Sequence, residues 1–293
     1  MRLWLLVGVS FAAAVSGRSA VRAAPAVEIR GAAARVQVIP ESRADIQVVL
    51  VHADPRLPIR VRRLGDRVFV TGDVGHRIRS CIGPDGRPGV AVFGRGAIAY
   101  QQLPQLIIRT PAAVRLVAGE AVFGDIGRAA SVDFTNQGCG DWTLADVVGR
   151  LRLTQAGAGA ARAGAAGSSD LSVIGTGGVS VGVVRGGLSA VSSGAGDITA
   201  AAVYGRVDAR VGGSGDIDLA SGAVGDMTVS IAGSGAVRFR GSARTLRASI
   251  AGTGDVSVER VTGAVTRQVF GAGKVRIGPL PPKPAGASLG PAR

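Results

Sequence analysis

The 293-residue chain is poor in most of the side chains that catalysis, metal binding and membrane insertion require. Its only histidines, His52 and His76, stand near no plausible Ser or Cys nucleophile and no acidic cluster in sequence, which argues against catalysis by either, and zinc ligand triads are absent. Aromatic residues make up 4 %, leaving few rings to stack bases or sugars. The only lysines are Lys274 and Lys283, and no Gly-Lys-Ser/Thr phosphate loop occurs. After Val15 no apolar run is long enough to cross a membrane, so no transmembrane segment is expected in the mature chain. Two cysteines, Cys81 and Cys139, allow at most one internal disulfide.

What the chain has in abundance is glycine, 46 residues of it, and the glycines are periodic. A Gly-x-Gly element returns eight times, at Gly138/Gly140, Gly157/Gly159, Gly175/Gly177, Gly194/Gly196, Gly213/Gly215, Gly233/Gly235, Gly252/Gly254 and Gly271/Gly273. The successive intervals are 19, 18, 19, 19, 20, 19 and 19 residues. A unit this short cannot bury its own apolar face and needs neighbours on both sides, which defines a stacked solenoid. With hydrophobic residues at 46 % and regularly placed, the glycine and the 13 prolines do not signal disorder.

Alternating runs flank each glycine pair. Val207–Val211, Met227–Ile231, Leu246–Ile250 and Val265–Val269 precede the pairs; Ile198–Ala200, Ile217–Leu219, Val237–Phe239, Val256–Val258 and Val275–Ile277 follow them. Period-two alternation reads as strand, apolar side inward. A looser third segment closes each turn, often through a further glycine such as Gly186, Gly205 or Gly263. The expected fold is therefore all-β, a single right-handed parallel β-helix with turns of about 19 residues. Equivalent residues should stack as internal ladders, and the paired glycines are expected at sharp corners with positive φ.

Four segments follow from the pattern. Residues 1–23 have an early charge (Arg2), an apolar stretch and small residues ending in Val21-Arg22-Ala23, the form of a secretory signal peptide cleaved before Ala24. No cysteine lies near the cut to carry a lipid anchor. Residues 24–118 read as irregular strands that cap the stack, interrupted by a Gly/Pro-rich loop over Ser80–Gly96. Residues 119–277 are the β-helix repeats, with an extra degenerate turn beginning at Gly119. Residues 278–293 form a Pro/Gly-rich tail expected to be disordered.

Asp141, Asp197, Asp216 and Asp255 follow the second glycine of their pairs, and a ladder of aspartates would hold Ca²⁺ between turns. The ladder is broken by Ala160, Gly178, Ala236 and Lys274, and the spacing differs from that of calcium-binding nonapeptides. A structural role, with the carboxylate accepting corner N–H groups, accounts for the aspartates without metal, so no cofactor or metal is assigned. An exported chain with one cysteine in a glycine-proline loop and one at a glycine corner favours a Cys81–Cys139 disulfide over two free thiols.

The formal net charge of +14 becomes +11 if cleavage removes Arg2, Arg18 and Arg22, and nearly all of it is arginine. Such a surface favours anionic partners such as an envelope glycan or lipid. The dispersed arginines and the lack of aromatics argue against nucleic acid.

Leu103-Pro104-Gln105-Leu106, Gly119-Glu120-Ala121-Val122-Phe123-Gly124 and the serial Gly-x-Gly-Asp units resemble the putative auto-transporter adhesin head GIN domain family over about Val27–Ile277. The resemblance implies an exported bacterial β-helical protein of the periplasm, cell surface or extracellular space. The resulting expectation is a non-catalytic envelope or surface module with adhesin-like binding. The competing class is a β-helical polysaccharide lyase or hydrolase. Outward positions Thr143, Arg162, Ser180, Thr199, Asp218, Arg238, Ser257 and Arg276 show neither the carboxylate grouping such an enzyme needs nor a sugar platform.

Overall fold

The computed structural model describes residues 25–280, so the expected leader and nearly all of the expected tail lie outside the described residues. The expected ladders are present. On the first face Leu188, Val207, Met227, Leu246 and Val265 lie in parallel register, turn on turn. On the second face Ile198, Ile217, Val237, Val256 and Val275 do the same. A shorter third face runs through Val147, Ala166, Val184 and Val203. The three faces make a β-solenoid of about nine turns with about 19 residues each. At the usual strand separation of ~4.8 Å this is a rod on the order of 40 Å long.

One apolar core runs down the axis, from Val27 to Val258. Its largest member, Trp142, is fully buried, 4.7 Å from the Phe134 ring, and its indole N–H donates to the Val122 carbonyl at 2.9 Å. Polar groups also enter the core, immediately before the corners. Asn136 Nδ2 donates to Gly140 O (2.9 Å) and Gln155 Oε1 (3.1 Å), its Oδ1 accepts from Gly138 N (3.2 Å), and Ser192 Oγ donates to Gly196 O (3.1 Å). They satisfy main-chain groups that the bend withdraws from water.

At the N-terminal end the order along the chain and the order along the stack part company. The strands there are β1 (Ala26–Arg30), β2 (Ala33–Glu41), β3 (Gln47–His52), β4 (Arg60–Leu64), β5 (Arg67–Thr71), β6 (Ile78–Ile82), β7 (Pro88–Val92), β8 (Gly96–Ala99), β9 (Gln105–Pro111), β10 (Ala113–Ala118) and β11 (Ala121–Ile126). β1 is sandwiched in parallel between β5 and β10, and β2 between β9 and β11. The chain thus enters inside the stack, drops below its own first coil, and climbs past it. β3 and β4 then close the lower end by pairing antiparallel with β9 and β5. β4 presents Arg60, Arg62 and Arg63 along this edge, a charged border that discourages further strand pairing.

One expectation about this region is corrected. The loop expected over Ser80–Gly96 is a three-stranded antiparallel sheet, β6-β7-β8. Its Val90, Val92 and Ile98 are buried, not against the solenoid axis but in a second core outside it. The extra turn begins at a corner made by Gly119 and Glu120, between β10 and β11. An added Cβ on Gly138 would meet Glu120 O at 1.8 Å, so Glu120 holds the equivalent place, and it adopts the left-handed φ of 51°. Its carboxylate repays that strain in part by accepting the Gly31 N–H at 2.7 Å.

Candidate binding groove beside the disulfide flap

The β6-β7-β8 sheet forms a flap on the outer surface of the coil. Val90, Val92 and Ile98 pack with Leu57, Val74 and Leu103 onto Ala33, Ala121 and Phe123, the outward apolar positions of β2 and β11. Tyr100 meets Phe123 edge-on at 5.5 Å, and the Arg35 guanidinium lies 5.4 Å from the Tyr100 ring centre. Burial pushes the Tyr100 phenol above its ordinary pKa. Outside this core, Asp73 pairs with Arg95 at 2.9 Å, which holds its carboxyl below the usual range; Arg95 also reaches the Arg56 carbonyl.

Cys81 of β6 and Cys139 of the first Gly-x-Gly corner are joined in a disulfide with Cα atoms 5.7 Å apart. The bond fastens the flap to the solenoid at one point and leaves a groove of about 620 Å³ beside it. Phe123, the disulfide, Arg79, Arg87, Asp141 and Ile82 line it. Ile82 and Phe93 of the flap are 56 % and 64 % exposed, and the Arg79 guanidinium sits 5.0 Å from the Phe93 ring centre. Arg87 is exposed and has no carboxylate partner among the described residues. The groove therefore offers two guanidiniums with no ion pair among the described residues beside apolar surface, a combination suited to an anionic group carried on a partly apolar body.

The other corner residues have different work. Asp141, Asp197, Asp216 and Asp255 each accept a main-chain N–H from the next turn, that of Ala160, Asp216, Ala236 and Lys274, at 2.7–2.8 Å. The second oxygen of Asp216 pairs with Arg238 at 2.6 Å and that of Asp255 with Arg276 at 3.5 Å. Asp146 repeats the device at another corner, toward Ala165 N. Among the described residues no group of three or more His, Cys, Asp or Glu could hold a metal ion. His76 lies next to the flap, where its Nε2 accepts from Arg77, and His52 ends β3.

The glycine pairs are not at positive φ, Gly271 (φ 142°) excepted. Gly140, Gly175, Gly177, Gly194, Gly196, Gly213, Gly215, Gly233, Gly235, Gly252, Gly254 and Gly273 all lie outside that region. What they share is proximity: an added Cβ would fall 1.9–2.2 Å from a carbonyl oxygen of the preceding turn. Each pair sits directly on the pair below, backbone on backbone.

The sequence pointed to Cys81, Cys139 and Asp141 but not to the rest of the groove. Arg79, Arg87 and Phe123 come from segments that only the folded flap brings together. The apolar alternation Val90-x-Val92 and Ile98 was the available signal, masked by the glycines and prolines around it.

The fold and groove define a β-solenoid with a disulfide-fastened flap. Residues 183–279 match the family described as putative auto-transporter adhesin, head GIN domain. The match covers the last turns rather than the whole span of the resemblance. A crystal structure of a putative adhesin from Parabacteroides distasonis is 14 % identical, with a TM-score of 0.48, covering 87 % of this chain and 93 % of that one. A second, a putative adhesin from Bacteroides fragilis, is 14 % identical with a TM-score of 0.42, covering 86 % and 90 %. No curated protein matches the chain.

Proposed function

We propose that this is an exported, non-catalytic module of the cell envelope or surface that binds an anionic envelope polymer, with the flap groove as its grip. The observation that carries the reading is Arg79 and Arg87, two guanidiniums with no carboxylate partner among the described residues, lining a groove beside the disulfide. The family of the C-terminal turns supports the adhesin-like character. The engagement of the corner aspartates in turn-to-turn hydrogen bonds supports a role as scaffold rather than acid-base machinery.

The test is to titrate the purified protein with polygalacturonate and with phosphatidylglycerol vesicles at low salt and at 0.5 M, where the Debye length is about 4 Å. The same mixtures are assayed for new reducing or unsaturated ends. The expected result is binding to the glycan that weakens steeply with salt, with no new ends. Release of ends would establish the lyase or hydrolase reading instead. Binding to vesicles alone would replace the glycan with a lipid surface.

A further inference from the structure

The two ends of the rod are built differently. The lower end is closed by antiparallel β3 and β4, whereas among the described residues the upper end stops at the parallel strands Val265–Val269 and Val275–Ile277. Among the described residues each of these pairs on one side only, which leaves its other row of N–H and C=O groups without a partner there. The inward positions are open as well. Val265 and Val269 are 38 % and 40 % exposed, where Leu246 and Ile250 beneath them are at 0 %, and Phe270 beside them is 72 % exposed.

The middle inward position of this strand departs from every turn below. Ala190, Ala209, Val229 and Ala248 stack in register, and the next residue in that column is Arg267. Arg267 has no carboxylate partner among the described residues. A strand laid on this edge would cover the guanidinium, and a covered cation needs a carboxylate opposite it.

We infer that the Val265–Val269 edge is a docking site for an extended strand of a different protein, carrying apolar residues opposite Val265 and Val269 and an Asp or Glu opposite Arg267. Main-chain pairing supplies the attachment and the central ion pair the specificity. A second copy fits poorly on charge. Stacked head to tail, it brings Arg60, Arg62 and Arg63 of β4 against Arg267; stacked tail to tail about the strand centre, it sets Arg267 against itself. Residues 281–293 of the chain itself contain no acid, and Pro281, Pro282, Pro284 and Pro291 lack the N–H that pairing needs. This inference is independent of the flap groove.

The test uses the full-length protein and a fluorescent peptide Thr-Val-Thr-Glu-Thr-Val-Thr, with a counterpart in which the glutamate is lysine, followed by anisotropy. The expected result is at least a tenfold preference for the glutamate peptide, reversed in Arg267→Glu, whose thermal melt shows that the exposed substitution leaves the fold intact. Equal binding of both peptides, or binding of neither, would overturn the inference. So would sedimentation showing a dimer that Val269→Asp dissolves, because the edge would then belong to a second copy.

Discussion

At the scale of single residues, the paired glycines are required by what lies beneath them. A Cβ on Gly215 would stand 2.2 Å from Gly196 O and 2.8 Å from Ser192 Oγ, and the main-chain contact cannot yield without opening the stack. Gly212, three residues earlier, has nothing nearer than 4.0 Å. We therefore expect Gly215→Ala to cost roughly 2–3 kcal/mol or more and Gly212→Ala under about 0.5 kcal/mol, read by denaturant melts. Asp216→Ala leaves the Ala236 N–H without its acceptor and should fall between, at about 1–2 kcal/mol. A loss at Asp216 as large as that at Gly215, or a chelator-sensitive melt, would restore the calcium reading.

The carboxylates also set the response to acid. Hydrogen bonds from Arg56, Arg95 and Thr245 hold Asp54, Asp73 and Asp226 below the ordinary carboxylate range. A lowered folded pKa means stability that is complete above the unfolded value of ~3.9 and is lost as pH falls through the folded value. Asp125 is the opposite case: burial raises its pKa, against the Gln37 hydrogen bond, so its ionised form opposes folding. Between pH 6 and pH 3 the melting temperature should fall, and the fall should shrink in Asp54→Asn/Asp73→Asn. Asp125→Asn should melt higher than the parent at pH 7.

At the scale of elements, legibility followed the range of the contacts. The repeat strands were visible because each stacks on a neighbour about 19 residues away in the same pattern, so period and alternation alone define the ladder. Positive φ was the wrong reason for the glycines because carbonyls one turn away have no signature in a local dihedral argument. The place of β9 beneath β2 was hidden too, since dozens of residues separate Arg35 from its partner Gln105 and no repeat links them. The flap was missed because its apolar residues answer to Ala33, Ala121 and Phe123 outside the axis.

The flap should depend on its single covalent tie. The bridge closes a loop with a sequence separation of 58, worth on the order of 4 kcal/mol in the loop-entropy model. Cys81→Ser/Cys139→Ser should speed hydrogen exchange across β6–β8 while leaving the ladder strands from Val179 to Ile250 protected. Uniform loss of protection over both regions would mean that flap and solenoid unfold as one unit.

At the scale of the whole molecule, we propose that the rod separates rigidity from recognition. Aspartate and glycine fasten turn to turn along its length, and guanidiniums with no carboxylate partner among the described residues stand at the flap and at the two ends as well as on the body, as at Arg128, Arg162 and Arg185. If attraction were only a matter of net charge, any pair of exposed arginines would contribute alike; if the groove is the grip, position decides. The direct measurement is the affinity of polygalacturonate for the parent protein, for Arg79→Gln/Arg87→Gln in the groove, and for Arg60→Gln/Arg62→Gln on β4, at one salt concentration. The groove variant should bind about tenfold more weakly, as the loss of two solvent-exposed ion pairs implies, and the β4 variant within about twofold of the parent. Equal losses in the two variants, or none in either, would contradict the assignment of binding to the groove.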